Sequence, residues 1–209
     1  MKDRQDGEIA QEAAIAILIA VILISLAGYS LFIAPGNALG ISARAGMTRA
    51  TDRLVTAGDL TGYADGTGML GPVRVDNPSP APGRLGAVLV PIRLASLRLS
   101  WEAGTGADIG NATVIFSGPG GDETLRGSSG PVLRKPAWAI VRKGSVLPGQ
   151  SGNGDNLLEP NEMFVLFAYP SQPLPPGAGF TIRVLVPGEN PFVVSRRVPD
   201  SISSTMDLG

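Results

Sequence analysis

An uncharged, apolar run near the N-terminus constrains this chain more than any other feature of its sequence. The run extends from Ala13 to Ala34, 22 residues without a charge and mostly Ala, Ile, Leu and Val. As an α-helix it would be about 33 Å long at about 1.5 Å per residue, which is enough to cross a bilayer core of about 30 Å. A helix that is apolar on every side must be buried in lipid or in protein. We therefore predict an anchor helix that carries the rest of the chain.

The residues just before this run favour more than a simple anchor. The leader MKDRQDG ends at Gly7, and Glu12 stands directly before the apolar residues. A secretory signal peptide has an apolar stretch of only about 7 to 15 residues, so this run is too long for one. A charged residue costs up to about 2.5–3.5 kcal/mol at the bilayer centre, so an acidic residue there tends to have a functional partner. A cut after Gly7 would make Glu8 the first residue and Glu12 the fifth.

This arrangement resembles the class III signal peptide of type IV pilins and archaellins, in which the cut falls before the helix and the anchor is kept. The resemblance implies cleavage between Gly7 and Glu8 by a prepilin peptidase. It also implies that Glu12 compensates the N-terminal amine of a neighbouring subunit during assembly, because opposite charges in an apolar environment are tolerated as a pair. Asp6 departs from the archaeal pattern, which usually has a basic residue before the glycine.

Helical character is predicted to continue beyond the apolar run. Pro35 cannot donate a hydrogen bond to the carbonyl four residues back, so a kink is expected there. Apolar residues then recur at spacings of four, three and four, which places them on one helix face: Ala43, Met47, Ala50 and Leu54. We predict an amphipathic helix over residues 38–57, so that residues 8–57 form one long N-terminal helix that ends near Gly58.

Beyond Gly58 the sequence changes to short strands separated by turn residues. Residues 76–83, DNPSPAPG, are predicted to form a surface loop. Strands are predicted where apolar residues alternate or cluster, at 88–94, 97–101, 112–117, 137–142, 162–169, 179–186 and 191–198. Such a series favours an antiparallel β-sandwich. The predicted class is therefore α+β, with the N-terminal helix followed by an Ig-like β-sandwich head over residues 58–209. Residues 162–169 are apolar on both faces and should form a central strand.

The C-terminal third also resembles the archaellin family. The stretch DNLLEPNE at 155–162 is followed by MFVLFAY, then FTIRVLVP and the ending RRVPDSISSTMDL. In archaellins an acidic LLEPGE step precedes a buried strand, and a strand of the form FTIEVKP follows. Here Asn161 stands where the family usually has glycine, and Val186 where it often has lysine. The resemblance implies a filament subunit whose helices bundle in the core and whose sandwiches form the outer wall.

Composition excludes several other classes of protein. The chain has no cysteine, which removes disulfides and thiolate chemistry, and no histidine, which removes the usual general base and the commonest transition-metal ligand. With a net charge of −1 and no cluster of basic residues, the sequence lacks the positive charge that nucleic-acid binding requires. No catalytic motif stands out. We predict a protein that is not an enzyme and that needs no cofactor.

Two weaker motifs concern modification and metal binding. Asn111-Ala112-Thr113 is the only allowed N-glycosylation sequon, because Asn77 is followed by proline. Oxygen-bearing side chains at Asn153, Asp155 and Glu162, with Asn156 and Glu159 between them, would suit Ca²⁺. Their spacing does not match the twelve-residue calcium loop, and a polar loop that caps the next strand is the alternative.

The sequence thus predicts a structural subunit of the archaellum filament that supports swimming. Its implied partners are further copies or other archaellins, the prepilin peptidase, and the archaellum motor and platform proteins. The precursor would sit in the cytoplasmic membrane and the mature subunit in the extracellular filament. The alternatives are an archaeal adhesive type IV pilin and a monomeric, membrane-anchored β-sandwich that serves as an accessory or cell-wall-binding protein.

Overall fold

A computed structural model describes residues 53–95, 106–147 and 152–209. All of these residues belong to one compact unit, which runs from Arg49 to Gly209. The unit is built from short strands and turns, as its content of 28 glycines and 18 prolines in the whole chain suggests.

The strands are numbered β1 to β14 in chain order. They are β1 Arg53–Thr56, β2 Thr61–Ala64, β3 Gly68–Leu70, β4 Val73–Val75, β5 Leu85–Ala95, β6 Ala107–Asp108, β7 Thr113–Gly118, β8 Gly121–Gly127, β9 Ala137–Ser145, β10 Leu157–Leu158, β11 Glu162–Tyr169, β12 Gly179–Leu185, β13 Phe192–Arg197 and β14 Thr205–Asp207. The strands predicted within the described residues are all present. The strands β1 to β4, β6, β8, β10 and β14 were not predicted, and among them the sequence of β8, GDETLRG, is almost wholly polar.

Ten of these strands form one continuous sheet. Its order is β13-β12-β7-β8-β9-β11-β5-β2-β14, with β1 also paired to β5. Every pairing in this sheet is antiparallel except that of β8 with β9. Strand β8 pairs antiparallel with β7 from Gly121 to Leu125 and parallel with β9 through Arg126 and Gly127. Two short pairs, β10 with β6 and β3 with β4, lie outside this sheet.

The two ends of the sheet pack on each other through one hydrophobic core. Inward-facing residues of β7, β12 and β13 belong to the same buried cluster as those of β5 and β11, for example Phe116, Ile182 and Val194 with Val90 and Phe164. Phe116 and Phe180 stack with ring centroids 5.6 Å apart. The alternation predicted at residues 88–94 is confirmed, since Val88, Val90, Ile92 and Leu94 are all buried.

The central position predicted for residues 162–169 is also confirmed. Strand β11 pairs with β9 on one side and with β5 on the other. One of its faces belongs to the main core, while Phe167 and Tyr169 on the other face join a second cluster with Val73, Val75 and Leu133. The chain therefore covers this second face itself, with the β3–β4 hairpin and the segment before β9.

The predicted α+β class is wrong. The described residues contain no α-helix, only a short 3-10 turn at Ile109–Asn111, and the described part of the chain is all-β. Within these residues no helix is long and apolar enough to span a bilayer. The helix predicted over residues 8–57 lies outside the described residues as far as residue 52.

At Arg53–Thr56, the end of that predicted helix, the structure has strand β1 instead. Leu54 completed the helical spacing in the sequence, but its burial comes from pairing with Leu94 of β5. A tertiary partner far along the chain thus overrides the local pattern, as it commonly does for short apolar runs.

Candidate functional site

The residues predicted to direct processing and assembly lie outside the described part of the chain. These are Gly7 and Glu8 at the cleavage point and Glu12 at the start of the apolar run. Their roles stay predictions. The other predicted residues, and two sites that sequence reasoning missed, are in the described domain.

The turn that precedes β11 contains Asn161, the residue that stands where archaellins usually have glycine. Glu162 N donates to Glu159 O at 3.0 Å, which closes a four-residue turn. Pro160 occupies its second position, and Asn161, the third residue, has a φ of 74°. A turn with proline second and a positive φ third is a type II turn, where glycine is favoured and asparagine tolerated. Asn161 therefore replaces glycine without changing the turn.

The predicted calcium ligands are used by backbone donors. Both oxygens of buried Glu162 accept hydrogen bonds, from Asn153 N at 3.1 Å and from Glu159 N at 3.2 Å. Asp155 Oδ1 accepts from Leu157 N at 2.8 Å. In the described ranges no group of three acidic residues is arranged to hold a metal ion. The geometry supports the alternative of a polar loop that caps β11, and calcium binding stays an untested prediction.

The sequon residue Asn111 lies on the surface at the end of the 3-10 turn. Its side-chain Nδ2 donates to Asp108 Oδ2 at 2.7 Å, and its backbone N–H donates to Asp108 Oδ1 at 3.3 Å. Thr113, the third sequon residue, begins β7 and is exposed. The acceptor amide is thus held in an exposed position by a carboxylate, and glycosylation stays a prediction.

A buried polar cluster around Asp65 was missed by sequence reasoning. Asp65 follows β2, and its side chain has no exposed surface. Its Oδ1 accepts from Lys135 Nζ at 2.6 Å and from Asn77 Nδ2 at 3.0 Å, while Oδ2 accepts from Ala81 N at 2.8 Å. A Cβ on Gly86 would lie 2.5 Å from the Asp65 Cα, so only glycine permits this approach. Both carboxylate oxygens thereby accept at least one hydrogen bond.

The second hydrophobic cluster forms the floor of this site. The Lys135 ammonium lies 4.9 Å from the centroid of the Tyr169 ring. The Tyr169 hydroxyl is buried and meets no hydrogen-bond partner among the described residues. Burial, and then the carboxylates of Asp65 and Asp76, raise the pKa of Tyr169 above its usual range. The ring therefore stays a neutral phenol, and it shields the amine from water with 15% of the Lys135 side chain exposed.

The loop DNPSPAPG is on the surface as predicted, but it has a second role as the lid of this cluster. Asn77 and Ala81 in the loop donate to Asp65, and Asn77 Oδ1 in turn accepts from Ser79 N at 3.3 Å. No spacing rule could have found the cluster, because Asp65 and Lys135 are 70 residues apart.

The second missed feature is an open groove between β1 and β13. The groove has a volume of about 670 Å³ and is lined by β1 and by residues 190–196. Among the described strands, β1 pairs only with β5 and β13 only with β12, so each presents an unpaired edge. Arg53 and Arg196 bring positive charge to the lining, and Val193 beside them is 54% exposed. Unpaired edges with exposed apolar residues are typical contact surfaces for other chains.

Several solved structures of archaellum proteins have folds similar to that of this chain. Solved structures that match include the archaeal flagellin FlaB1 from Methanocaldococcus jannaschii, with 12% identity over 75% of this chain and 96% of that one, at a TM-score of 0.50. The archaeal flagellum of Methanospirillum hungatei strain JF1 matches with 18% identity over 94% and 97% of the two chains, at 0.49. The archaellum periplasmic stator protein FlaG from Sulfolobus acidocaldarius matches with 14% identity over 69% and 98%, at 0.42.

The sequence comparisons add nothing to this result, since no family model and no curated protein matches the chain. The match to FlaB1 spans nearly all of that chain and shows that the domain is a β-sandwich with the archaeal flagellin fold. The resemblance predicted from residues 155–162 and the strands that follow them is confirmed at the level of the fold.

Proposed function

We propose that this chain is an archaellin, a structural subunit of the archaeal swimming filament with no catalytic activity of its own. One observation carries the proposal: a domain with the archaeal flagellin fold follows, in the same chain, an apolar run that is preceded by Gly7 and Glu12. The type II turn at Glu159–Glu162 supports it, because the turn lies where the archaellin resemblance places a glycine.

In this proposal the chain has two successive environments. The precursor is held in the cytoplasmic membrane by its apolar N-terminal segment, and a prepilin peptidase removes residues 1–7. The mature subunit then leaves the lipid and polymerises with further copies or with other archaellins through the same segment. Transfer from lipid to a protein core keeps the apolar surface covered throughout. The motor and platform proteins of the archaellum rotate the resulting extracellular filament.

The described domain would form the outer wall of that filament. Heterologous contacts between copies that do not close on themselves generate open helical assemblies. The groove between β1 and β13 is a surface suited to such a contact, since it joins two unpaired strand edges with exposed Val193.

N-terminal sequencing of the protein from its native membrane or filament tests the processing step. We expect the mature chain to begin at Glu8. A mature protein that retains Met1 would contradict both the archaellin proposal and the adhesive type IV pilin alternative, because both require removal of the leader.

Imaging of sheared surface filaments at side-chain resolution tests the assignment itself. We expect this chain in the swimming filament, with its β-sandwich on the outside. Finding it only in non-rotating adhesive filaments would favour the pilin. Its absence from every filament would leave a membrane-anchored accessory or cell-wall-binding protein.

We also propose that Asn111 carries an N-linked glycan. Its amide is exposed and oriented by Asp108, and Thr113 is accessible. Replacing Thr113 with valine should remove the glycan mass from the peptide that contains Asn111, whereas replacing Thr113 with serine should keep it. An unmodified peptide from the native, unsubstituted protein would refute the proposal.

A further inference from the structure

The Asp65 cluster combines features that an ordinary ion pair does not need. Its carboxylate has no exposed surface, its amine is mostly covered, and the two groups approach to 2.6 Å. Asn77 and Ala81 add one donor to each carboxylate oxygen. Removing two charges from water costs several kcal/mol per ion. An arrangement that converts both charges into a neutral group would escape that cost.

We propose that Lys135 and Asp65 become joined by an internal amide bond, a covalent cross-link between the end of β2 and the start of β9. This modification site is independent of the filament function proposed above. The chain contains no cysteine, so an amide of this kind is a cross-link that its residues can form without an oxidant.

The chemistry is a condensation that balances without any co-reactant. A proton moves from the Lys135 ammonium to Asp65 Oδ1, which leaves a neutral amine beside a neutral carboxylic acid. Nζ then attacks Cγ of Asp65. The C–N bond forms and the C–Oδ1 bond breaks, and Oδ1 departs as water with a second proton from Nζ. One ammonium and one carboxylate thus become one amide and one water, with net charge unchanged.

The surrounding groups hold the positions that this reaction requires. The Ala81 N–H, 2.8 Å from Oδ2, donates to the oxygen that becomes the oxyanion and then the amide carbonyl. The Asn77 amide orients Oδ1, the leaving oxygen, from 3.0 Å. The Tyr169 ring, 4.9 Å from Nζ, covers the amine and keeps water away from the reacting pair.

The burial of the pair also supplies the driving force. In water an ammonium and a carboxylate are more stable than an amide at neutral pH, because both ions are well solvated. Here the ions are desolvated, which raises the free energy of the reactants, and they are already in contact, which removes the entropic cost of bringing them together.

Mass spectrometry of the full chain tests the cross-link directly. After digestion with trypsin we expect peptide 54–74, which contains Asp65, and peptide 135–142, which begins at Lys135, to appear as one branched species. Its mass should be lower than the sum of the two peptides by one water. Recovery of the two linear peptides from folded protein would overturn the proposal. A branched species of peptides 75–84 and 135–142, lighter than their sum by one ammonia, would overturn it too, because that result assigns the bond to Asn77.

A pair of lysine substitutions provides the matched control. Lys135→Arg keeps the positive charge but should abolish the branched species. Lys143→Arg should leave it unchanged, since Lys143 Nζ donates to Gly154 O and Asn156 Oδ1 and forms no ion pair with a carboxylate in the described part of the chain. A branched species that survives Lys135→Arg, or disappears in Lys143→Arg while the protein stays folded, would show that the assignment to Lys135 is wrong.

Discussion

At the scale of single residues, Asn161 shows how one side chain reports a backbone conformation. Its φ of 74° lies in the left-handed region, which costs most L-residues about 1–2 kcal/mol. Asparagine is among the residues that tolerate this conformation, and glycine pays no steric cost there. The position therefore favours glycine, asparagine and aspartate, because their side chains clash least with the backbone in this conformation.

We expect Asn161→Gly to unfold at the same temperature as the native domain or slightly above it. Asn161→Val should destabilise the domain by about 1–3 kcal/mol, because a β-branched residue at positive φ is strained. Chemical denaturation of the two variants measures the difference. Equal stability of the glycine and valine variants would show that the turn is not held in the left-handed conformation.

Tyr169 leads to a prediction about alkaline pH. Its ordinary pKa is 10.0, and burial with nearby carboxylates raises the pKa in the folded state. Between these two pKa values the folded state binds the phenolic proton and the unfolded state has lost it. Stability should therefore fall as pH rises above about 10.

Tyr169→Phe should remove this dependence, because it deletes the titrating group together with a buried hydroxyl that meets no hydrogen-bond partner among the described residues. We expect the melting temperature of the variant to decline less steeply than that of the native protein above pH 10, and to be similar at pH 7. Tyr63→Phe is a suitable control, since Tyr63 packs against the same Phe167 ring. Parallel curves for native and Tyr169→Phe proteins would contradict the explanation.

At the scale of elements, some strands can be recognised from their own sequence, and others form because neighbouring strands pair with them. Val88, Val90 and Ile92 of β5 could be assigned from alternation, and β11 from its double-sided apolar character. Strand β8 could not, because GDETLRG is polar and its only deeply buried side chain is Leu125. It is a strand since β7 and β9 both pair with it.

The same limit applies to the sites. The type II turn is formed by four consecutive residues, so the sequence could mark its place through the resemblance at residues 155–162, although the turn itself was not predicted. The Asp65 cluster requires residues from four separate segments, and neither Asp65 nor Lys135 stands in a distinctive local context. Leu54 shows a different kind of error. Its spacing from Ala43, Met47 and Ala50 fits a helix, but the residue lies in strand β1.

Strand β11 should carry far more stability than edge strand β13. Phe167 is fully buried, and Phe167→Ala should cost about 3–5 kcal/mol by leaving a cavity. Val193→Ala on β13, where the side chain is 54% exposed, should change stability by less than about 0.5 kcal/mol. Urea unfolding of both variants provides the measurement. A small cost for Phe167→Ala would mean that the second cluster repacks readily.

At the scale of the whole molecule, folding and assembly should be separable. The described domain has its own cores, while the proposed assembly charge, Glu12, lies far outside it in sequence. Glu12→Ala should therefore lower incorporation into filaments without lowering the melting temperature of the domain. Gln11→Ala, which changes a neighbouring polar residue but no charge, should incorporate normally. Full incorporation of Glu12→Ala would argue against pairing of this carboxylate with a neighbouring amine.

The pairing of the first strand has a mechanical consequence. Strand β1 joins the sheet through four consecutive pairs with β5, from Arg53 opposite Ala95 to Thr56 opposite Ile92. A pull along β1 loads these four pairs together in shear, so they do not open one at a time. The load passes to β5 and then to β11, which is bonded on both sides. Strands β7, β12 and β13 receive tension less directly, through β8, through the loop from β11 to β12 and through the core. Under force, strands β1, β5 and β11 would carry most of the load, and strands β7, β12 and β13 would carry little of it.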